Sequence, residues 1–131
     1  MKVLTHWKAT LLTHRQLGQI MITQKDLHQQ LHYDKITGLF VWKVSNSPRV
    51  KIGKVAGTIK GKTGYRLIRV NNTLYRANRL AWLYVYGNLP NGVIDHINFN
   101  RDDNSILNLR DISHAENMKH RNPNKPSIYR P

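Results

Sequence analysis

The sequence predicts an α+β fold, in which short helices and short antiparallel strands follow one another along a chain of 131 residues. Two stretches carry helix start and stop signals, and segments rich in β-branched and aromatic residues are separated by closely spaced glycines. Two of those segments are joined by Asn71-Asn72, a pair typical of hairpin turns. A chain of this length can build one modest core, or two small units that share a core.

The first helix is predicted over residues 24–31. Thr23 precedes it and Asp26 follows three residues later, which is a variant of the capping box that begins many helices. Beyond this helix, a turn-rich stretch at 33–38 leads into a strand at 39–42, where β-forming residues are concentrated.

A basic antiparallel β-sheet with short helices is predicted over residues 22–90. Its strongest hairpin pattern lies in residues 64–70 and 73–77, because the asparagines between them tolerate the positive φ that tight hairpin turns require. The apolar stretch 79–86 then predicts a helix. Its N-cap is expected at Asn78 and its C-cap at Gly87.

The C-terminal part contains two predicted short strands, at 93–94 and 109–112, separated by a polar loop. A final helix to about residue 121 is well marked, since Ser113 and Glu116 form the S-x-x-E capping box.

The two ends of the chain lack such signals. Residues 1–21 have only weak periodicity, and we expect an N-terminal extension without a fixed fold. Residues 122–131 contain three prolines and are expected to form a flexible tail.

The charge of the chain is strongly basic, since 21 Lys and Arg against seven Asp and Glu give a formal net charge of +14. Such an excess indicates an anionic partner, and nucleic acid is the leading candidate. No apolar run approaches the roughly 20 residues that cross a bilayer, so a membrane location is not expected. The absence of cysteine excludes disulfides and thiolate metal sites and fits a reducing cytoplasm.

Many of the basic residues lie on or between the predicted strands ahead of residue 90, and a sheet that carries them can enter a groove of DNA. Phosphate contact is the default role of Lys and Arg and gives salt-sensitive affinity, whereas base reading requires an arginine that reaches guanine. The alternative for any one of them is a solvated face. The predicted DNA-binding residues are Arg49, Lys51, Lys54, Lys60, Lys62, Arg66, Arg69 and Arg76.

Three segments of the C-terminal part resemble the HNH endonuclease family, in the variant whose last histidine is replaced by asparagine. They are Ile94-Asp95-His96-Ile97-Asn98, Asn108-Leu109-Arg110 and Glu116-Asn117, in that order. Further upstream, three segments look like the phage and intron-associated homing endonucleases of this family: Tyr33-Asp34 to Trp42-Lys43, Gly64-Tyr65, and Arg79-Leu80-Ala81-Trp82 to Gly87 and Pro90. The family pattern usually has histidine where this chain has Asn78.

The resemblance implies a ββα-metal nuclease motif over residues 91–121, in which two strands and a helix grip one divalent cation, Mg²⁺ or Mn²⁺. It implies that His96 is the general base that takes a proton from the attacking water, and that Asn108 orients its ring. Asp95 and Asn117 would hold the metal. The implied partner is double-stranded DNA, which a monomer with one active site would nick, whereas cleavage of both strands requires a dimer or two successive events.

The chemistry of the residues supports these roles. A neutral imidazole titrates near neutral pH, and a side-chain carbonyl of Asn108 that accepts from one ring nitrogen would leave the other as a base. Asp95 and Asn117 offer oxygen, the ligand type that Mg²⁺ and Mn²⁺ prefer. Adjacent residues of a strand point to opposite faces, so we expect the strand to bend or end at Asp95 if His96 is to reach the same site.

Several alternatives stay open from the sequence. Asn104 lies near Asn108 and competes with it for assignment, and His120 is the substitute ligand if Asn117 points away. The alternative functions are a DNA-binding protein that keeps the fold without turnover and an RNA-binding module, although no aromatic RNA-binding motif is present.

Overall fold

The computed structural model describes residues 22–119, so the expectations for residues 1–21, for residues 122–131 and for His120 lie outside the described part. Its helices are α1 (Gln24–Gln30), α2 (Ala77–Tyr86) and α3 (His114–Lys119). Its strands are β1 (Leu31–Tyr33), β2 (Phe40–Trp42), β3 (Thr58–Ile59), β4 (Arg66–Val70), β5 (Thr73–Arg76), β6 (Val93–His96) and β7 (Leu109–Ile112). The strands form three small antiparallel sheets beside the helices, which confirms the predicted α+β class. Among these helices, none has the length and apolar character needed to cross a membrane.

Helix α1 begins at the predicted capping box. The Thr23 hydroxyl accepts from the backbone N–H of Asp26 at 3.1 Å, and the Asp26 carboxylate accepts from the backbone N–H of Thr23 at 3.0 Å. The chain becomes extended at Leu31 and continues directly into β1, which pairs with β2. Strand β1 was not predicted, because three residues are too few to display a clear alternation.

The predicted hairpin between β4 and β5 is confirmed. Asn71 and Asn72 both have positive φ, at 50° and 64°, as a two-residue type I′ turn requires. Arg69 lies opposite Leu74 and Arg76 lies opposite Leu67, so alternation along the strands places both arginines on the exposed face, while Ile68 on the other face is buried.

Helix α2 corrects one prediction and confirms another. It begins at Ala77, immediately after β5, so Asn78 lies inside the first turn and the predicted N-cap at Asn78 is wrong. With no loop between strand and helix, Arg76 takes the N-cap position and provides no side-chain cap. Gly87 ends the helix as predicted, with φ of +85° and its N–H donated to the carbonyl of Leu83.

Strand β6 pairs with β7 through its whole length, and α3 contacts β6. Asp95 lies opposite Arg110 and His96 lies opposite Leu109, so the predicted bend or end at Asp95 is wrong and the strand continues to His96. At the start of α3 the Ser113 hydroxyl accepts from the backbone N–H of Glu116 at 3.1 Å and donates to the Glu116 carboxylate at 3.3 Å, which confirms Ser113 as the N-cap.

One hydrophobic core is shared by the elements from α1 to α2 and by the β6–β7 pair. Leu27, Phe40, Ile68 and Leu80 are buried at its centre, and Leu109 of β7 belongs to the same cluster. The β6–β7 hairpin is therefore packed on the same core as the sheet and helices that precede it.

Candidate active site

The imidazole of His96 is buried at the end of β6, with 5% of the residue exposed. Its Nε2 lies 2.9 Å from Oδ1 of Asn104, and a carbonyl oxygen can only accept, so Nε2 carries the hydrogen and Nδ1 keeps its lone pair. Burial lowers the pKa of His96 below its ordinary value of 6.5, and the charge of Arg101 acts in the same direction. Opposing contributions come from the hydrogen bond with Asn104 and the charge of Asp95. The ring is thus neutral near pH 7 and has one nitrogen able to take a proton.

The contact expected from Asn108 is made by Asn104 instead. Strand pairing sets Leu109 opposite His96, and Asn108, one position before Leu109, ends a short 3₁₀ helix (Ile106–Asn108) that precedes the strand. Its amide donates to the side chain of Asn98 at 2.9 Å and to the backbone carbonyl of Asp103 at 2.8 Å, and its Oδ1 accepts from the backbone N–H of Asn98. Asn108 therefore holds the loop that carries Asn104.

Asn104 is held from the other side by the first hairpin. The residue is 1% exposed, and its backbone carbonyl accepts from the hydroxyl of Tyr33. Gly38, in the turn between β1 and β2, packs so closely that an added Cβ would lie 2.2 Å from the backbone nitrogen of Ser105. The acceptor of His96 is therefore positioned by residues far away in the sequence.

Asp95 and His96 contact different side chains. It is 6% exposed, and its Oδ2 accepts from Nε of Arg110 at 2.8 Å, across the strand pair. His96 instead contacts Asn104 and faces Tyr65, whose ring centroid lies 6.2 Å away. Because β6 stays regular through Asp95, the side chains of Asp95 and His96 point to opposite faces of the strand.

Asn117 lies on α3, the helix that contacts β6, and it is half-buried. Asp95 and Asn117 provide a carboxylate and an amide oxygen, and in the described residues no group of three His, Cys, Asp or Glu is suited to a metal. Such a donor set fits Mg²⁺ or Mn²⁺, which retain water and bind phosphate oxygens, better than Zn²⁺, which prefers nitrogen and sulfur ligands.

A cluster missed from the sequence lies next to His96. The guanidinium of Arg76 lies 4.0 Å from the ring centroid of Tyr65, and that of Arg101 lies 4.6 Å from the same centroid. Arg101 also donates to the backbone carbonyl of Thr63 at 2.7 Å. These residues come from separate parts of the chain, so no sequence spacing links them.

The predicted DNA-binding residues are spread over loops and strands rather than confined to one sheet. Arg66 uses its guanidinium within the fold, where it pairs with Asp102 at 2.9 and 3.3 Å and donates to the carbonyl of Gly57. The other predicted residues are exposed: Arg49, Lys51, Lys54, Lys60, Lys62, Arg69 and Arg76.

Comparisons with known proteins agree with this architecture. Residues 75–119 match the sequence model of the HNH endonuclease family. The fold is similar to a solved structure described as "DNA binding and cleavage by the HNH homing endonuclease I-HmuI", with a TM-score of 0.52 and 24% sequence identity. The match covers 69% of this chain and 50% of that chain, so this chain spans about half the length of the matched one. No curated protein matches in sequence.

The fold is thus of the HNH homing endonuclease type. The match of residues 75–119 to the model of the HNH endonuclease family confirms the resemblance drawn from the ordered segments around Asp95, Asn108 and Asn117.

Proposed function

We propose that this protein is a metal-dependent DNA endonuclease of the HNH homing type, which hydrolyses phosphodiester bonds in double-stranded DNA with His96 as general base. The observation that carries the proposal is the state of His96, which is neutral, buried and hydrogen-bonded through Nε2 to Asn104. Its Nδ1 takes a proton from the water that attacks phosphorus. Asn108 contributes indirectly, because it holds the loop of Asn104.

Asp95 and Asn117 are the residues that would hold Mg²⁺ or Mn²⁺ in this proposal. A bound ion would supply neutralisation of the charge on the phosphate and on the departing 3′ oxygen, a contribution of roughly several kcal/mol. Arg110 pairs with Oδ2 of Asp95 through its Nε at 2.8 Å, which fixes the position of the carboxylate. In this proposal His96 transfers a proton and does not bind the metal. The side chains of Asp95 and His96 therefore need not coordinate the same ion.

Double-stranded DNA is the proposed partner because the chain has a net charge of +14 and seven of the eight predicted DNA-binding residues are exposed. Their contacts with phosphates would position the duplex and make affinity fall with salt. With one candidate active site in the described residues, a monomer would nick one strand.

The test is cleavage of supercoiled plasmid and of genomic DNA in Mg²⁺ or Mn²⁺, with His96→Ala beside the wild type. Loss of a general base reduces the rate by about 10²- to 10⁴-fold. His32→Ala is the matched control, since His32 is exposed on β1 and its replacement leaves cleavage unchanged. Equal products from wild type and His96→Ala would overturn the assignment of His96.

One observation favours a second candidate, a DNA-binding protein of the same fold without turnover. The ion pair of Asp95 with Arg110 occupies a carboxylate oxygen that a metal would otherwise use. In that case both wild type and His96→Ala retard duplex DNA in EDTA, and neither produces nicks in Mg²⁺ or Mn²⁺.

A further inference from the structure

We propose that Arg76, Arg101 and Tyr65 form a clamp that binds a phosphate of the DNA backbone beside His96. The inference rests on the proposed function only in taking DNA as the ligand and deepens it by naming the groups that would hold the backbone at the site.

Tyr65 brings the two arginines together. Both guanidinium groups lie over its ring, at 4.0 Å for Arg76 and 4.6 Å for Arg101, which is the arrangement of a cation–π contact. Arg101 is further fixed by its bond to the carbonyl of Thr63. An arginine whose side chain is already ordered loses less entropy when it binds a ligand. The ring of Tyr65 thus pre-organises two phosphate-binding groups.

The two guanidinium groups on the Tyr65 ring bring two positive charges close to each other. Their distances from one centroid keep them within about 9 Å of each other, close to the Debye length of ~8 Å at physiological ionic strength, so screening by salt is incomplete. Within residues 22–119, Arg76 forms no ion pair. A phosphate bound by both guanidinium groups would relieve the repulsion and match their planar donor geometry.

Arg66 and Arg110 provide the contrast within the same region. Each pairs with a carboxylate, Asp102 and Asp95 respectively, and so has an evident role in the fold. Arg76 instead stacks on Tyr65 with its side chain exposed.

The cluster of Tyr65, Arg76 and Arg101 lies next to the proposed base, since the Tyr65 ring centroid is 6.2 Å from that of His96. A phosphate on the clamp would lie beside the proposed base.

The experiment uses fluorescence anisotropy to measure equilibrium binding of a DNA duplex of about 30 base pairs, in EDTA, across a series of KCl concentrations. Arg76→Ala and Arg101→Ala are each expected to reduce the slope of log K against log salt by about 0.9, the value for one lost phosphate contact. Lys25→Ala removes one exposed charge on α1, outside the proposed binding surface, and leaves slope and affinity unchanged. Slopes equal to wild type in both arginine variants would overturn the clamp.

Conservative variants separate a clamp from general electrostatics and from misfolding. Arg101→Lys keeps the charge but loses the planar fork, so affinity is expected to fall about tenfold with the slope retained. Tyr65→Leu is expected to bind several-fold more weakly than wild type because the arginines lose the ring on which they stack, and Tyr65→Phe, which keeps the ring, should bind more tightly than Tyr65→Leu. Unchanged affinity in both Arg101→Lys and Tyr65→Leu would also overturn the clamp.

The same samples, assayed for plasmid cleavage in Mg²⁺, distinguish failure of the clamp from failure of the proposed function. Altered binding slopes without cleavage by wild type would support the clamp and reject the nuclease. Cleavage by wild type with unaltered binding in the variants would reject the clamp and keep the nuclease.

Discussion

The tautomer of the neutral His96 ring depends on one neighbouring oxygen. Asn104 Oδ1 lies 2.9 Å from Nε2, and the ring is buried, so the hydrogen resides on Nε2 and the lone pair on Nδ1. Asn108, the residue first expected in this role, contributes through the loop in which Asn104 lies.

Replacing Asn104 with Leu tests this hydrogen bond directly. The variant leaves the buried Nε2–H without its acceptor, which is expected to reduce the free energy of unfolding by about 1–3 kcal/mol. Long-range ¹⁵N NMR of the histidine ring should show the Nε2–H tautomer in wild type and a mixture of tautomers in the variant. An Nδ1–H tautomer in wild type would contradict the assignment.

Asp103 provides a prediction for the effect of pH on stability. Hydrogen bonds from the Ser105 hydroxyl, at 2.6 Å, from the Ser105 backbone and from Asn98 lower the pKa of Asp103 below its ordinary value of 3.8. Because the pKa is lower in the folded state, the carboxylate stabilises the fold above the unfolded value, and this stabilisation is lost as pH falls through the folded value.

Asp103→Asn should therefore cost about 1 kcal/mol at pH 7, and the difference from wild type should vanish at a pH below the folded pKa. Urea unfolding of both proteins at a series of pH values measures this. A difference that stays constant down to acid pH would show that Asp103 acts by its shape and not by its charge.

At the scale of elements, the turn between β1 and β2 supports the loop of the candidate site. Gly38 has φ of +75°, and a Cβ there would lie 2.2 Å from the nitrogen of Ser105. Gly53 has a similar φ of +83°, but nothing lies within 4 Å of its added Cβ. A substitution at Gly53 therefore tests backbone strain alone, whereas one at Gly38 tests backbone strain together with close contact between the turn and the loop.

Gly53→Ala is expected to lower the free energy of unfolding by about 1 kcal/mol through its positive φ alone. Gly38→Ala should cost about 3 kcal/mol or more, because the turn must also move away from Asn104 and Ser105. Denaturant unfolding measures both. Equal losses in the two variants would mean that the turn and the loop do not support each other.

At the scale of the whole molecule, metal binding should appear as a gain in stability. A ligand that binds only the folded state stabilises it by about 2.7 kcal/mol at 100 times its Kd, so Mn²⁺ should raise the Tm of the wild type. Asp95→Ala is expected to abolish this rise, because it removes the proposed carboxylate ligand.

Asp102→Ala is the matched control for that measurement. Asp102, like Asp95, is paired with an arginine, so its replacement also breaks an ion pair and lowers the starting Tm. It should nevertheless keep the full response to Mn²⁺. A response retained by Asp95→Ala, or lost in both variants, would contradict Asp95 as the ligand.

Local signals in the sequence determined a large part of this fold. The local signals are the capping box at Thr23, the N-cap at Ser113, the turn at Asn71-Asn72 and the helix end at Gly87. Each depends on a few neighbouring residues, and each occurs where it was predicted. The segments that resemble the HNH family were also recognised from the sequence, because the order of motifs along a chain does not depend on its tertiary structure.

Only the tertiary structure decided which side chains meet. The register of β6 against β7 put Asn108 on the loop and kept the strand regular through Asp95, and packing of distant segments brought Asn104 to His96. The cluster at Tyr65 likewise joins Arg76 and Arg101 from separate elements. Such contacts depend on strand register and on packing between distant elements, and residue type and spacing along one chain do not specify either.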